Sequence, residues 1–323
     1  MSKALNLAES IKNGNTADIL TKFKMKKFLI DEARILKKKL IVSDSYKITA
    51  EVILKNKRHF ILEIHDNNYY FKKNIYSLKN LKVIKLNGKK AVAAVFAFNE
   101  DRKIILREYL KGECLLEILK KDDTEENFSL VKNSAIWIAG MHNLLTKNMP
   151  VAVKRDVNFK IEKSILTNIK KLIKPQIKNY RADIMKNLNY YINNYENFKK
   201  KVKNCLIHGD FQPANIMADG EIINIMDFDT LCVGNPARDI GRFIMQLKFV
   251  CKNHIEYQKT FIDAYFKISK YKNDQEFNKA TAFYQVEMLF YIILGQLWGN
   301  NIPNKDVIKN ILNEQNNLFK LFL

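Results

Sequence analysis

Glycine is scarce and unevenly placed: the 323-residue chain has 10, and none lies between Gly14 and Gly88. That gap excludes from the first quarter of the chain a glycine-rich loop whose successive amides cradle a phosphate. Proline is scarcer still, with five residues (Pro150, Pro175, Pro213, Pro236 and Pro303) and none in the first 149 positions. The four cysteines, Cys114, Cys205, Cys232 and Cys251, form no Cys-x-x-Cys pair and have no histidine at metal-finger spacing. A zinc module and a disulfide framework are thereby excluded, and four reduced, mostly buried thiols are expected. The longest unbroken apolar run, Ala91 to Phe98, is eight residues, against the roughly 18–20 that span a bilayer. The N-terminus lacks a charged-then-apolar signal pattern, so no membrane partner and a cytoplasmic location are expected.

Acidic residues are also in deficit: 55 Lys and Arg face 34 Asp and Glu, a formal charge of +21. Only eight of those cations are Arg, and the 47 Lys are scattered among Asn and Ile with no run longer than three. Base readout and phosphate forks favour Arg with interleaved aromatics. The excess therefore reads as solvated faces with some steering of polyanions, and a nucleic-acid partner is not expected.

What is present divides the chain in two. Leu20, Phe23, Phe28, Leu29, Ile35 and Leu36 fall on a helical stripe. Short β-favouring runs follow at Ile48–Leu54, His59–Ile64 and Tyr69–Lys73, with His65-Asp66-Asn67-Asn68 as hairpin chemistry before the last. A second pair, Ala91–Phe98 and Lys103–Leu110, is joined at residues 99–102. Beyond Gly112 the pattern is mainly helical, over 127–145, 158–203, 237–270 and 275–322. The expected fold is α+β with two lobes: 1–110, small and built on an antiparallel sheet, and 111–323, larger and mainly helical.

One β-like island, Cys205 to Cys232, carries the chemistry. Asp219-Gly220 between apolar runs predicts a two-residue hairpin loop. Paired positions then sum to 439, which places Asp227 opposite Gln212 and gathers Asp210, Asn215 and Asp227 at one end, with Asp229 extending the cluster. Two carboxylates and a carboxamide are hard oxygen donors suited to Mg²⁺ shared with substrate phosphates. A third carboxylate set back from them can receive a hydroxyl proton. That combination is what kinase-type phosphoryl transfer requires.

His208-Gly209-Asp210, Asn215 and Asp227-Phe228-Asp229 resemble the signature of the aminoglycoside phosphotransferase and choline kinase family, small-molecule relatives of protein kinases. Gly234-Asn235-Pro236-Ala237-Arg238-Asp239 is similar to the family's Gly-Asp-Pro-x-x-Asp segment, with Asn235 in place of Asp. Met141-His142 resembles the end of a family helix, and Arg107-Glu108-Tyr109-Leu110-Lys111-Gly112 the hinge strand. The resemblance covers about residues 106–243 and implies a two-lobed protein-kinase-like fold. It implies Asp210 as catalytic base, Asn215 and Asp227 on Mg²⁺, His208 bracing the loop and Asp239 anchoring it from below. Glu108 and Leu110 would meet the nucleotide, ATP or GTP, through the hinge backbone. Gln212 stands where many relatives have a second His.

The expected function is transfer of the γ-phosphate of a nucleotide to a hydroxyl of an aminoglycoside-, choline- or sugar-like small molecule. The alternative is a nucleotide-binding module with little turnover, motivated by the glycine-free first lobe. The phosphate-gripping lysine is expected at Lys72 or Lys73, because the competing strand has Glu63 at that place, and Glu32 is the nearest acid on an earlier helix. Glu287 and Tyr291 share a helical face at i, i+4 and are candidates for recognising a cationic acceptor.

Overall fold

The computed structural model describes residues 30–42, 45–54, 56–121, 124–144, 149, 151–154, 169, 175–297 and 303–321. The chain divides into two compact units. The first holds the described residues up to Gly112 together with Met217–Asp229, and the second holds Glu113–Ile216 and Thr230–Leu323.

The first unit is built on strands β1 (Ile30–Val42), β2 (Ser45–Leu54) and β3 (His59–His65), helix α1 (Asn68–Asn80), a short hairpin of β4 (Lys85–Leu86) and β5 (Lys89–Lys90), and strands β6 (Val95–Asn99) and β7 (Ile104–Glu108). The main sheet has the order β1-β2-β3-β7-β6, every neighbouring pair antiparallel. Alternation along β2 and β3 assigns the two faces. Ile48, Ala50, Val52, Leu54, Phe60, Leu62 and Ile64 join Ile104 and Leu106 in one apolar core. The intervening residues Lys47, Glu63 and Arg107 stand on the other face.

Two expectations are corrected here. Ile35 and Leu36 lie in β1, as does Glu32, so these three stand on a strand and not on a helix; Leu20, Phe23, Phe28 and Leu29 fall outside the described residues. Tyr69–Lys73 is helical, the first turns of α1. The same Asx chemistry that suits a hairpin turn here caps a helix: Asn67 Oδ1 accepts the Tyr69 N–H at 2.8 Å. Tyr70, Phe71, Leu78 and, just past the helix end, Leu81 then bury at helical spacing.

The second unit continues with β8 (Glu113–Cys114), α2 (Leu115–Lys121), α3 (Glu125–Asn143), α4 (Val151–Lys154), α5 (Arg181–Lys201) and β9 (Cys205–Ile207). Thr124 caps α3 by accepting the Asn127 N–H at 3.2 Å. The first part of the helix expected from residue 158, and Pro150, fall outside the described residues. The chain then returns to the first unit, where strands β10 (Ile216–Asp219) and β11 (Ile222–Ile225) form the expected hairpin, but its turn lies at Gly220-Glu221, one residue later than read. Back in the second unit come β12 (Cys232–Gly234), which pairs antiparallel with β9, and helices α6 (Ala237–Val250), α7 (His254–Ile268), α8 (Gln275–Leu297) and α9 (Lys305–Lys320).

The apolar run 91–98 is shared between two jobs. Val95–Phe98 lie in β6, whereas Ala91 O accepts the Ile225 N–H at 2.8 Å and Val92 bridges Ile225 in parallel. That contact fixes the end of β11 two residues before Asp227. Gly112 is required where it stands: its φ is +106° and a Cβ would lie 1.9 Å from Ala218 O.

Candidate active site

In the second unit, the loop after β9 carries His208, Gly209, Asp210, Phe211 and Gln212, and it is held from both sides. Phe211 is fully buried, in a ring stack with Trp137 and Phe243 at centroid distances of 6.2 and 5.3 Å. Gly209 has φ +81°, and a Cβ there would lie 2.6 Å from Thr230 O. Below the loop, buried Asp239 on the first turn of α6 accepts the His208 N–H at 2.7 Å and the Gly209 N–H at 2.8 Å. An acid in a first helical turn is favoured by the dipole. His208 is buried, its Nδ1 accepts the Asp210 N–H at 3.3 Å, and its carbonyl takes the Thr230 hydroxyl at 2.8 Å.

Asp239 also faces His142 at the end of α3. The His142 Nε2–Asp239 Oδ2 distance is 3.1 Å, and His142 Nδ1 lies 2.9 Å from the Tyr265 hydroxyl. Burial holds His142 below its ordinary value near 6.5, against the pull of Asp239. The neutral ring then donates from Nε2 to Asp239 and accepts from Tyr265. Asp239 is held below the usual carboxylate range by His142 and the loop amides, against its burial. A depressed folded-state value favours folding above the unfolded value, and that contribution is lost as pH falls below it. The melting temperature is therefore expected to drop from about pH 6.5 downward, His142 setting the onset, and His142→Gln to flatten that slope. Thermal unfolding followed across this range checks it; an unchanged slope in the variant contradicts it.

The Asp210 carboxylate takes three side-chain donors. Arg242 Nη1 at 2.8 Å and Gln212 Nε2 at 3.1 Å meet Oδ1, and Asn215 Nδ2 at 3.0 Å meets Oδ2. Asn215 Nδ2 also donates to the Asp210 carbonyl at 2.8 Å, so both of its hydrogens are committed and Oδ1 is its acceptor. Asn215 closes a 3-10 turn, Pro213–Asn215.

Glu287 on α8 is fully buried. Arg238 Nη2 lies 3.1 Å from its Oε1, Arg242 meets the same oxygen, and the Tyr191 hydroxyl donates to Oε2 at 2.7 Å. These partners hold its carboxyl below the usual range against burial. Its two oxygens are spent on two arginines and a tyrosine, which corrects the expectation of Glu287 as an acceptor-recognising acid. The Tyr291 ring centroid lies 4.7 Å from the Arg242 guanidinium, so that ring serves the arginine.

In the first unit, Asp227 follows β11 with φ +59°, a left-handed conformation uncommon outside glycine and met at functional sites. Lys47, at the start of β2, sits among carboxylates: Asp229 Oδ1 at 3.1 Å, Asp227 Oδ1 at 3.5 Å and Glu63 Oε2 at 3.7 Å. Burial would release the lysine proton, but the three carboxylates outweigh it and raise the value well above the ordinary one. Glu63, on β3, also meets Arg107 Nε at 2.7 Å and is held well below the carboxylate range by Lys47 and Arg107 against burial. Asp229 Oδ1 accepts from Asn74 Nδ2 of α1 at 2.7 Å. A cleft in this unit is lined by Glu63, Asn74, Ala93, Leu110, Asp227 and Phe228, among others.

Neither Lys72 nor Lys73 stands on a strand as expected. Lys72 is exposed on α1, and Lys73 is buried with its ammonium 4.6 Å from the Tyr69 ring centroid. Glu108 ends β7; its carbonyl accepts from Arg107 Nη1 at 3.2 Å and its carboxylate from the Ala94 N–H at 3.0 Å. Leu110 lines the cleft. Sequence reasoning missed Lys47, Asn74 and Arg242. Only Lys47 had a signal, as a charge alternating with the core residues Ile48 and Ala50, and it was one of 47 lysines.

Magnesium was expected from the donor chemistry. Each expected ligand by itself keeps an oxygen suited to it: Asn215 Oδ1 in the second unit, and in the first the carboxylate of Asp227 on a left-handed backbone. Among the described residues no group of three or more His, Cys, Asp or Glu is placed to hold a metal, and Mg²⁺ commonly takes one or two protein oxygens, its remaining positions going to water and phosphate.

No helix among the described residues is long and apolar enough to cross a membrane. Residues 51–277 match the family described as Phosphotransferase enzyme family. No curated protein matches the chain significantly. Solved structures similar to it include the GDP and kanamycin complex of APH(2'')-IIIa, at 12% identity over 95% of this chain and 98% of that one, TM-score 0.61. The gentamicin complex of APH(2'')-IIa is 18% identical over 96% and 98%, TM-score 0.59. Spectinomycin phosphotransferase APH(9)-Ia with ADP and spectinomycin is 11% identical over 93% and 98%, TM-score 0.57. At these identities the likeness is one of fold, the kinase-like α+β fold with an antiparallel sheet and a larger helical part. With 227 of its 323 residues matched, the chain belongs to the phosphotransferase enzyme family.

Proposed function

We propose that the chain transfers the γ-phosphoryl group of ATP or GTP to a hydroxyl of a small molecule. The observation that carries the reading is Asp210, a half-buried carboxylate fixed through its backbone by Asp239 and through its side chain by three donors. The acceptor oxygen forms a bond to the γ-phosphorus. The bond from that phosphorus to the bridging oxygen breaks, and its electron pair leaves with the nucleoside diphosphate. The acceptor proton passes to Asp210. Asn215 Oδ1 and the Asp227 carboxylate would hold magnesium, which when bound neutralises charge on the phosphates. His208 and Asp239 keep the loop in register. Leu110 lines the cleft of the first unit, and its backbone is the better candidate for the purine edge, since the Glu108 carbonyl already accepts from Arg107.

Lys47 takes the phosphate role expected of Lys72 or Lys73. Its protonation is secured by Asp229, Glu63 and Asp227, and Asp229 is steadied by Asn74. Lys47→Met is expected to weaken Mg-nucleotide binding by about 10–100-fold, the equivalent of one hydrogen bond to a charged group at about 1.5–3 kcal/mol. Lys72→Met should leave it unchanged. Titration calorimetry with ATP and GTP checks this, and equal effects in the two variants would contradict it.

The solved structures that resemble the chain hold kanamycin, gentamicin and spectinomycin, which makes polyhydroxylated amines the first acceptors to try, then choline, amino-alcohols and sugars. Release of nucleoside diphosphate with magnesium, acceptor by acceptor, tests the reading. A folded protein that binds nucleotide and releases none with any acceptor is the binding module instead.

A further inference from the structure

We infer that Arg242 is a positioning residue for Asp210, one that fills Oδ1 and leaves Oδ2 to receive the acceptor hydroxyl; the inference rests on the phosphotransferase reading. A carboxylate offers about four lone-pair sites, two on each oxygen. Arg242 and Gln212 take both sites of Oδ1, while Asn215 takes one of Oδ2. The fourth site is on Oδ2, on a side chain that keeps 26% of its surface exposed. The acceptor O–H therefore donates to Oδ2. As its oxygen bonds the γ-phosphorus and the nucleoside diphosphate departs with the bridging electron pair, the proton is left on Oδ2.

Arg242 is built to hold this position. It stands three residues after Asp239 on α6, so two residues one helical turn apart secure the same loop, Asp239 by its amides and Arg242 by the catalytic carboxylate. Its side chain is 6% exposed, its guanidinium also meets Glu287, and the Tyr291 ring lies against it. Glu287 is in turn fixed by Arg238 and Tyr191. Three helices, α5, α6 and α8, thus hold one guanidinium, whose Nε and Nη2 face Glu287 and whose Nη1 meets Asp210. A planar fork can serve two carboxylates at once, which an ammonium cannot reproduce.

The test is Arg242→Gln in the full chain, reading nucleoside diphosphate release from Mg-ATP and Mg-GTP, nucleotide affinity and melting temperature together. Glu287 keeps Arg238 and Tyr191 in this variant, so no carboxylate is left unpaired in the core. The expected result is turnover lower by about 10–100-fold, the scale of a misplacement near 1 Å, with nucleotide affinity unchanged. Arg242→Lys keeps the buried charge and is expected to recover part of the loss; it carries the test alone if the Gln variant does not fold. Turnover equal to wild type in the variant that folds overturns the inference. So does a loss matched by an equal loss of nucleotide affinity, which marks a general structural role. A wild type that turns over neither nucleotide refutes the phosphotransferase reading instead.

Discussion

Asp210→Ala is expected to lower phosphoryl transfer by about 10²–10⁴-fold, the usual contribution of a positioned proton acceptor. Melting temperature and Mg-nucleotide affinity should stay close to wild type. The separation follows from where Asp210 sits. It lies on a loop whose backbone is held by Asp239 and whose neighbour Phe211 is stacked into the core, so the loop does not depend on the Asp210 carboxylate. The three donors released are not stranded: Arg242 keeps Glu287, Asn215 keeps the residue 210 carbonyl, and Gln212 is partly exposed. Single-turnover kinetics beside titration calorimetry check the prediction. Transfer within threefold of wild type would remove Asp210 from the mechanism, whereas a matching loss of affinity would make it a binding residue.

Asp239→Asn is expected to lose both stability and turnover. Asp239 is fully buried and accepts three hydrogen bonds, from the His208 and Gly209 amides and from His142. An amide side chain can point only one oxygen at three donors and must turn an NH₂ toward at least one. Each buried donor left unpaired costs about 1–3 kcal/mol, so a loss of about 3 kcal/mol or more is expected from the site as a whole. Denaturant unfolding reads this as a lowered midpoint at unchanged slope. Turnover should fall further than the folded fraction accounts for, because the two amides that set the height of Asp210 are those released. A variant as stable as wild type would show that the amide bonds, not the loop's ring stack, are dispensable.

Among the candidate residues, those of the second unit were the more legible. Asp210, Asn215 and Asp239 belong to a short stretch whose spacing restricts the geometry, and Asp219-Gly220 announced a hairpin even though its turn falls at Gly220-Glu221. Strands β2, β3, β6 and β7 were visible from their apolar runs. The errors have local causes. Asn67 serves a turn and a helix cap with the same side-chain oxygen, and only the burial of Tyr70, Phe71 and Leu78 at helical spacing decides for α1. That decision moved Lys72 and Lys73 off a strand and left Lys47 as the cation beside Asp227. A periodic pattern of buried residues locates a face, but it does not say which of many lysines will meet three carboxylates contributed by positions 63, 227 and 229. Glu287 was misread for the related reason that a carboxylate on an amphipathic helix looks the same whether it faces a ligand or two arginines.

The most direct test of the account is mass spectrometry of acceptor hydroxyl compounds after incubation with the full chain, magnesium and either ATP or GTP. The account predicts that at least one small-molecule acceptor gains one phosphoryl group, with one nucleoside diphosphate formed for each product molecule and both formed about 10²–10⁴-fold more slowly by Asp210→Ala. A folded wild-type protein that binds Mg-nucleotide and phosphorylates no acceptor, with diphosphate release no faster than that of Asp210→Ala, would contradict it.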